Sequence, residues 1–563
     1  MKLNKSSILG TLLSCIIFAG CTDGFEDLNK NPNKTDQVNP EYMFNSSIYA
    51  TLKTFEGDMK KRMGNYAEYF SGYINGHMQC YADETSSNDT YWKNIYTTVL
   101  LPLQFIDTQL AGNEEFHNRV IISDIWKNYI FSQLTAMYGP IPYSHALTGK
   151  AQVPYDDEAT IHYALLDDLK RCADGIDFDG DRFQQDAVYP TAGGTSDLIK
   201  WKKFANSLRL RLAVRIANAD PVKAREVIGE VMADESMLLS SNDDNCTIKW
   251  GDNADTRNYF YDLLVINGTS NNDKKNSAAE AALMYTVPYN DPRCEVWFTE
   301  CSKWVMPDDF HWAPYWGQPK TQSKLSGIET DDTPHSGKTA DLYSQLSDKF
   351  LEMTYSENVM CYAEIELLKS EILHKGYGTG IKSARDYYED GIKASMEQWG
   401  VPSGKVADYL AVPGIEWNTL TDLNATEEGE AYYQDWLNLA SSAITVDDED
   451  PVYRQIVMQQ WLCLFYRPLD SWILRRRTQV LDFVPHVSPT FTYGAVNAGN
   501  SKISFAYLPQ RMLYPSAERV NNFDEMTKGI ALLEGGENSR ATRLWWALPT
   551  KHNKYLDSIL ALQ

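Results

Sequence analysis

Apolar residues recur three or four positions apart through most of the chain beyond residue 40, which predicts a mainly helical protein. One clear stripe lies within 361–373 and consists of Cys361, Ile365, Leu368 and Ile372. Lys375 and Gly376 follow it, and a basic last turn before a glycine is typical of a helix end. The same spacing predicts helices near 41–55, 92–110, 119–138, 158–173, 197–218, 221–233, 277–285, 357–374, 380–398, 428–440 and 451–466.

The predicted helices near 357–374 and 380–398 are joined by the short, glycine-rich segment 376–380. A connection of this length favours an antiparallel helical hairpin with the size of a tetratricopeptide unit. The sequence contains no repeat strict enough to establish an array of such units. The pattern therefore predicts a mostly α scaffold that contains at least one hairpin of this kind.

Two long stretches, about 240–340 and about 476–550, break the helical periodicity with prolines and polar residues. The first stretch is also rich in tryptophan and tyrosine. Long structured loops commonly hold binding sites. We therefore expect a single body over 41–563, with a helical scaffold at about 41–235 and 341–475 and a loop-rich ligand-binding region at about 240–340.

The beginning of the chain has the pattern of a secretion signal, with two lysines before the apolar run 8–18. This run is too short to span a bilayer. Ala-Gly precedes Cys21, as a lipoprotein signal peptidase requires, although Phe18 stands where leucine is usual. We therefore predict a lipoprotein signal peptide at 1–20, lipidation of Cys21 and a lipidated spacer at 21–40. A plain secreted protein with a coincidental cysteine is the alternative.

The chain of 563 residues carries a formal net charge of −24. Such an acidic body repels phosphate backbones, which argues against nucleic-acid binding. It also disfavours a body that lies flat on anionic lipid headgroups, so we expect the anchor to hold the body off the membrane surface. Hydrophobic residues make up 43 % of the chain, which is enough for a sizeable core.

Seven cysteines follow Cys21, at scattered positions without a CxxC motif or a cysteine–histidine cluster of metal-ligand spacing. The sequence therefore predicts neither a metal site nor a disulfide framework. Cys361 and Cys463 lie on apolar helical faces, and we interpret them as small buried hydrophobic residues. Cys294 and Cys301 are close enough in sequence to form a bridge, but spacing alone leaves that pairing open.

A series of short motifs runs in order along nearly the whole chain. It comprises FEDLN at 25–29, NPN at 31–33, YGPIPY at 138–143, WKKFANSLRLRLA at 201–213, the paired-helix segment 364–396, QW at 460–461, DSW at 470–472, RRR at 475–477, and PQRMLYP at 509–515 before Glu518. In order and spread, the series resembles the SusD/RagB family of nutrient-binding outer-membrane lipoproteins from Bacteroidetes. Two departures are mild: Gln460 stands where lysine is usual, and 467–470 differs from the usual approach to the tryptophan.

The resemblance implies a helical scaffold with tetratricopeptide-like pairs and long loop-rich decorations that hold the ligand site. It also implies a partner, a SusC-like TonB-dependent transporter of the outer membrane, which the lipoprotein covers as a hinged lid. Members of the family usually bind oligosaccharides and some bind peptides. They are not enzymes, and the resemblance implies no cofactor.

Sugar rings present apolar faces edged with hydroxyl groups, so an aromatic side chain with polar neighbours is the expected binding element. Burial of each sugar face should contribute about 1–2 kcal/mol. The chain has 15 tryptophans and 34 tyrosines, many of them in polar, turn-rich stretches. The candidate ligand-binding residues form two clusters, the first with Tyr81, Trp92 and Asn94 and the second with Trp304, Trp312, Tyr315 and Trp316. The alternative is that these aromatic residues pin loops to the scaffold.

Other chemistry has less support in the sequence. The acidic segment 177–181 is similar to the start of a calcium loop but lacks the distal glutamate, so a structural calcium stays open. The chain has no nucleophile elbow, phosphate-binding loop or dinucleotide fingerprint, and we predict no catalytic residues. A glycoside hydrolase remains an alternative, since 76 acidic residues leave room for a pair of catalytic carboxylates. A peptide-binding member of the same family is the other alternative.

Overall fold

The computed structural model describes residues 39–55, 58–71, 85–150, 152–266, 277–300, 315, 317, 344–419, 450–481 and 508–549. Within these ranges the chain is mostly helical, and short two-stranded sheets are the other regular structure. The mostly α fold class predicted from the sequence is therefore confirmed. None of the helices in the described ranges is both long enough and apolar enough to cross a bilayer.

The first half of the chain is built from helices that follow one another closely. They are α1 (Pro40–Phe55), α2 (Asp58–Ala67), α3 (Thr85–Asn94), α4 (Leu101–Leu110), α5 (His117–Tyr138), α6 (Glu158–Gly175), α7 (Leu198–Arg215) and α8 (Pro221–Met232). A π-helical segment, Ile95–Leu100, joins α3 to α4. The predicted helices of this half are confirmed, and α2 was not predicted.

The second half contains both short and long helices. They are α9 (Glu280–Met284), α10 (Arg293–Trp297), α11 (Tyr362–His374), α12 (Ala384–Gln398), α13 (Ser403–Leu410), α14 (Pro451–Cys463), α15 (Pro468–Thr478), α16 (Ser516–Asn521) and α17 (Phe523–Ala531). The last two helices lie in the stretch 476–550, which the sequence predicts as loop. The predicted helix near 428–440 lies outside the described residues.

Side-chain caps explain why several helices begin where they do. The carboxylate of Asp197 accepts hydrogen bonds from two backbone N–H groups in the first turn of α7. The carboxylate of Asp450 accepts one such hydrogen bond, from the backbone N–H of Tyr453, and Asp450 precedes a proline at the first helical position of α14. Ser383 and Asp386 form a reciprocal capping box, so α12 begins at Ala384 and not near residue 380.

The sheets join segments that are far apart in sequence. β1 (Phe70–Ser71) pairs antiparallel with β3 (Ser277–Ala278), and β2 (Cys246–Lys249) pairs antiparallel with β4 (Ser356–Met360). The prediction of one continuous helix near 357–374 is therefore wrong in its first turn, where β4 lies. The prediction near 277–285 is wrong in the same way, because that segment begins with β3 and continues into the short helix α9.

The scaffold packs neighbouring helices into pairs. α5 packs on α6, α6 on α7, α7 on α8, and α11 on α12, while α14 packs on α11. In the α11–α12 hairpin, Gly391 allows a close approach, since a Cβ atom there would lie 2.6 Å from Leu367 Cγ. The core that results contains fully buried indoles, among them Trp126, Trp201 and Trp461, each of which lies on a helix predicted from the sequence.

Candidate functional site

Trp92, from the first predicted cluster, lies inside a group of aromatic rings. It is part of α3, and only 5 % of its surface is exposed. Its ring centroid lies 4.9 Å from that of Tyr138, 5.2 Å from Tyr96, 6.3 Å from Tyr514 and 6.5 Å from Tyr155. An indole packed in this way presents little surface to a sugar, which favours the alternative that Trp92 holds segments of the scaffold together.

Of the other predicted site residues, the structure describes Asn94 and Tyr315. Asn94 is half-buried at the end of α3, where its side chain makes no capping hydrogen bond to the π-helical segment that follows. Tyr315 is half-buried and packs against the hydrophobic core. Cys21, Tyr81, Trp304, Trp312 and Trp316 lie outside the described residues. A role in ligand binding therefore stays a prediction for every member of the two clusters.

Tyr315 lines an open groove with a volume of about 490 Å³. We call this the Tyr315 groove; its other lining residues are Val287, Asn290, Asp291, Pro292, Cys294, Glu295, Lys405, Asp408, Tyr409 and Val412. One wall comes from α10 and the turn before it, and the other comes from α13 and the residues after it. The volume lies within the usual range for small-molecule sites.

The floor of the Tyr315 groove is held by a buried ion pair. The carboxylate of Asp291 accepts hydrogen bonds from the backbone N–H of Arg293 and from its guanidinium, with Arg293 Nη2 at 2.7 Å from Asp291 Oδ2. The remaining guanidinium donors reach Ser395 Oγ and Gln459 Oε1 at 2.9 Å and 3.1 Å. Arg293 therefore ties the groove wall to α12 and α14, which makes the floor a rigid support.

The rim of the Tyr315 groove is polar and exposed. Lys405 Nζ lies 2.8 Å from Glu295 Oε2, so an ion pair bridges the two walls. Asn290 occupies a left-handed backbone conformation, with φ of 52°, at the end of the turn before α10. Within the described part of the chain, the side chains of Asn290 and Asp408 make no hydrogen bond. An amide and a carboxylate thus stand beside an aromatic ring, which suits a ligand rich in hydroxyl groups.

A second polar cluster, in the core, is structural. Glu364 and Asp470 each contact both Arg211 and Arg467. Arg211, Glu364 and Arg467 are buried, and the side chain of Asp470 is 9 % exposed. Burial alone would raise the pKa of Asp470, but Arg211 and Arg467 lower it to about 2. Each carboxylate is thus balanced by two guanidinium groups, and the cluster ties α7, α11 and α15 together.

The acidic cluster of Asp124, Asp168 and Cys172 has the proximity of a metal site. Two basic side chains enter it: Lys127 contacts Asp124, and Arg171 contacts both aspartates. Burial and the charge of Asp168 together raise the pKa of Asp124 to about 6. Lys127 and Arg171 thus supply positive charge that balances the carboxylates of Asp124 and Asp168.

The segment 177–181, which resembles the start of a calcium loop, serves α5 as a cap. The carboxylate of Asp181 accepts hydrogen bonds from the backbone N–H groups of Asn118 and Arg119, at 2.7 Å and 3.3 Å. Asp177 closes the turn by accepting from Asp179 N at 3.0 Å. Asp181 is therefore a helix cap, and Asp177 stabilises the turn that positions it.

Comparison with known proteins identifies one family over most of the chain. A family model described as SusD-like, starch-binding and associating with the outer membrane matches residues 32–515. A SusD homolog from Bacteroides uniformis ATCC 8492 has 24 % identity and a TM-score of 0.69, over 90 % of this chain and 98 % of that one. A chitin-binding SusD homolog from Flavobacterium johnsoniae has 21 % identity and a TM-score of 0.68, over 91 % of this chain and 100 % of that one.

A third similar structure is a SusD-like protein from Bacteroides thetaiotaomicron VPI-5482. It has 20 % identity and a TM-score of 0.68, over 90 % of this chain and 99 % of the other. Sequence identities this low show a common fold. No curated protein matches the sequence.

Proposed function

The chain belongs to the SusD-like family, and from that premise we propose that it captures oligosaccharides at the cell surface and delivers them to a SusC-like TonB-dependent transporter. The lipid on Cys21 holds it to the outer membrane. Its role is binding without catalysis. The family description, starch binding in association with the outer membrane, supports the ligand class and the compartment.

The Tyr315 groove is the observation that carries the ligand assignment. It combines an aromatic ring, a rigid floor and a polar rim within one open depression. Tyr315 stacks on the apolar face of a sugar ring, and burial of that face contributes about 1–2 kcal/mol. The Asp408 carboxylate accepts hydrogen bonds from sugar hydroxyl groups, and the Asn290 amide both donates and accepts.

The charge of the groove restricts the class of glycan. Glu295 and Lys405 neutralise each other, and Arg293 neutralises Asp291. The carboxylate of Asp408 therefore gives the groove a negative charge. The whole chain is also acidic, with a formal net charge of −24. The groove therefore prefers neutral oligosaccharides over those that carry uronate or sulfate groups.

Substitution of Tyr315 tests the site. Tyr315→Ala is expected to weaken binding roughly 5- to 30-fold, because 1–2 kcal/mol of stacking is lost, whereas Tyr315→Phe keeps the ring and most of the affinity. A glycan and peptide array selects the ligand, and calorimetry measures its affinity. The matched control is Tyr377→Ala, a half-buried tyrosine beside α11 and away from the groove.

Three results would contradict the assignment. Unchanged affinity of folded Tyr315→Ala would remove the groove from binding. Selection of peptides over glycans on the array would favour the peptide-binding alternative. Release of reducing sugar from the bound oligosaccharide, abolished by a single Asp or Glu substitution, would make the protein a hydrolase.

The anchor is tested at Cys21. Mass spectrometry of the mature protein is expected to find Cys21 at the N-terminus with diacylglycerol on its thiol, and Cys21→Ala is expected to move the protein to the soluble fraction. Cys15→Ala is the matched control, because Cys15 lies within the apolar run of the signal peptide. An unacylated Cys21 in wild-type protein would refute the anchor and leave the groove assignment untouched.

A further inference from the structure

Arg215, the last residue of α7, is a buried arginine without a counter-charge. Its Nη1 atom donates to the carbonyl of Ser132 at 2.7 Å, and its guanidinium carbon lies 6.0 Å from the centre of the Trp546 ring. Among the described residues, no carboxylate forms an ion pair with Arg215, and its buried Nε atom has no hydrogen-bond partner. A charged donor in such a position is costly unless a bound group satisfies it.

The side chain of Arg215 lines a cavity of about 40 Å³ between α7, α11, α14 and α15, which we call the Arg215 cavity. Much of its lining is apolar and includes Leu368 and Ile473. Gln460 also lines it, and its buried Oε1 atom has no hydrogen-bond partner among the described residues. An unpartnered donor and an unpartnered acceptor thus come from two residues of one cavity, which has room for about two or three water-sized groups.

The other charged side chains that line the Arg215 cavity are paired. The core cluster of two carboxylates and two arginines described above is neutral as a whole, and Arg477 pairs with Glu371. Burial and the charge of Arg211 lower the pKa of Arg215 to about 9, so Arg215 remains protonated at neutral pH. One positive charge is therefore left unbalanced at the cavity.

Arg476, on α15, adds positive charge close to Arg215. Its guanidinium donates to the carbonyls of Trp472 and Gln510 at 3.3 Å and 2.8 Å, and its Nη2 atom has no partner in the part of the chain that the structure describes. Burial raises the pKa of the neighbouring Glu158 to about 8, so this carboxyl group carries little negative charge at pH 7. The surroundings of the Arg215 cavity therefore favour an anion.

We propose that the Arg215 cavity binds one monovalent anion of the size of chloride, which accepts a hydrogen bond from Arg215 Nε and supplies the missing negative charge. The volume is too small for a sugar or a phosphate group, and a single unbalanced charge matches a monovalent ion. A water molecule beside the anion donates to Gln460 Oε1, since an anion has no hydrogen to donate. The site stabilises the junction of four helices and does not depend on the ligand of the Tyr315 groove.

The first test uses the wild-type protein. Bromide resembles chloride in size and charge and gives an anomalous X-ray signal. Crystals grown in sodium bromide are expected to show an anomalous peak in the Arg215 cavity, in contact with Arg215 Nε. Water alone in the cavity, or bromide at surface positions only, would overturn the proposal.

The second test measures the effect of the anion on stability. Replacement of gluconate, which is too large for the cavity, by chloride at constant ionic strength is expected to raise the Tm of the wild type by about 1–2 °C more than that of Arg215→Met. This variant removes both the charge and the donor. Arg385→Met, at a surface arginine of α12, is the control and is expected to respond as the wild type does.

Two results with the variants would also overturn the anion site. One is an equal response of the wild type and Arg215→Met to chloride, and the other is a bromide peak that persists in the cavity of Arg215→Met. The bromide experiment on the wild type needs no substitution, so it decides the question even if Arg215→Met does not fold.

Discussion

Trp92→Ala is expected to lower the free energy of unfolding by about 3–5 kcal/mol, the usual loss when a large aromatic side chain is removed from a core. The indole is 5 % exposed and packs against four tyrosine rings, so its removal leaves a cavity that these rings cannot fill without moving. Urea unfolding followed by fluorescence and circular dichroism measures the loss.

Two further variants calibrate this result. Trp92→Phe keeps an aromatic ring in the cluster and is expected to lose less stability than Trp92→Ala. Tyr42→Ala, at a tyrosine that is 69 % exposed, is expected to change stability by less than about 0.5 kcal/mol. Glycan affinity measured on folded Trp92→Ala decides whether Trp92 contacts the ligand. If this variant is fully folded but binds glycan more weakly than wild type, Trp92 has the ligand contact that the sequence predicts.

The large effect follows from the segments that meet around Trp92. Tyr138 donates its hydroxyl hydrogen to Asn88, and Asn88 Nδ2 donates to the carbonyl of Leu513 at 2.7 Å. Tyr514 donates to the carbonyl of Pro140 at 2.7 Å. The motifs at 138–143 and 509–515 therefore converge on α3. Two of the motifs in the series are thus packing elements that hold the C-terminal part of the chain against the scaffold.

Local signals explain which parts of the fold could be predicted from the sequence. Helices such as α7 and α14 carry both apolar spacing and an aspartate cap within a few residues of their first turn. β4 could not be predicted in this way, since its partner β2 lies more than a hundred residues earlier and the pairing is visible only in three dimensions.

Prediction from local sequence signals has the same limit at the candidate site, the Tyr315 groove. Tyr315 was predicted because an aromatic residue in a polar, proline-rich stretch is a recognisable signal. Asn290 and Asp408 carry no such signal, because they are ordinary polar residues from segments more than a hundred positions apart. For Trp92, helical spacing with Ile95 and Val99, which are both buried, is the signal that would have indicated packing.

Glu371→Gln is expected to lower the free energy of unfolding by about 3–5 kcal/mol, because it leaves the guanidinium of Arg477 buried without its counter-charge. Glu371 is fully buried and accepts hydrogen bonds from Arg477, from Gln460 Nε2 at 2.7 Å and from Tyr453 Oη at 3.2 Å. Gln460 contributes a neutral amide, so Arg477 supplies the balancing charge.

The pH dependence of this effect has a definite sign. Burial alone would raise the pKa of Glu371, but Arg477 and the hydrogen bonds from Gln460 and Tyr453 hold it below its ordinary value of 4.5. A lowered folded-state pKa gives stabilisation that is fully present above the unfolded pKa and is lost as the pH falls through the folded pKa. The difference between wild type and Glu371→Gln is therefore expected to be constant from about pH 6 to 8 and to shrink below about pH 4.5.

Urea unfolding of both proteins across this pH range measures the difference. Glu389→Gln is the matched control, because Glu389 pairs along the surface of α12 with Arg385, whose side chain is 55 % exposed. Such a surface pair contributes about 0.3–0.5 kcal/mol, so this variant should remain close to wild type at every pH. Equal stability of Glu371→Gln and Glu389→Gln at pH 7 would show that the buried pair contributes no more than an exposed one, and the core of α11, α14 and α15 would then depend on apolar packing alone.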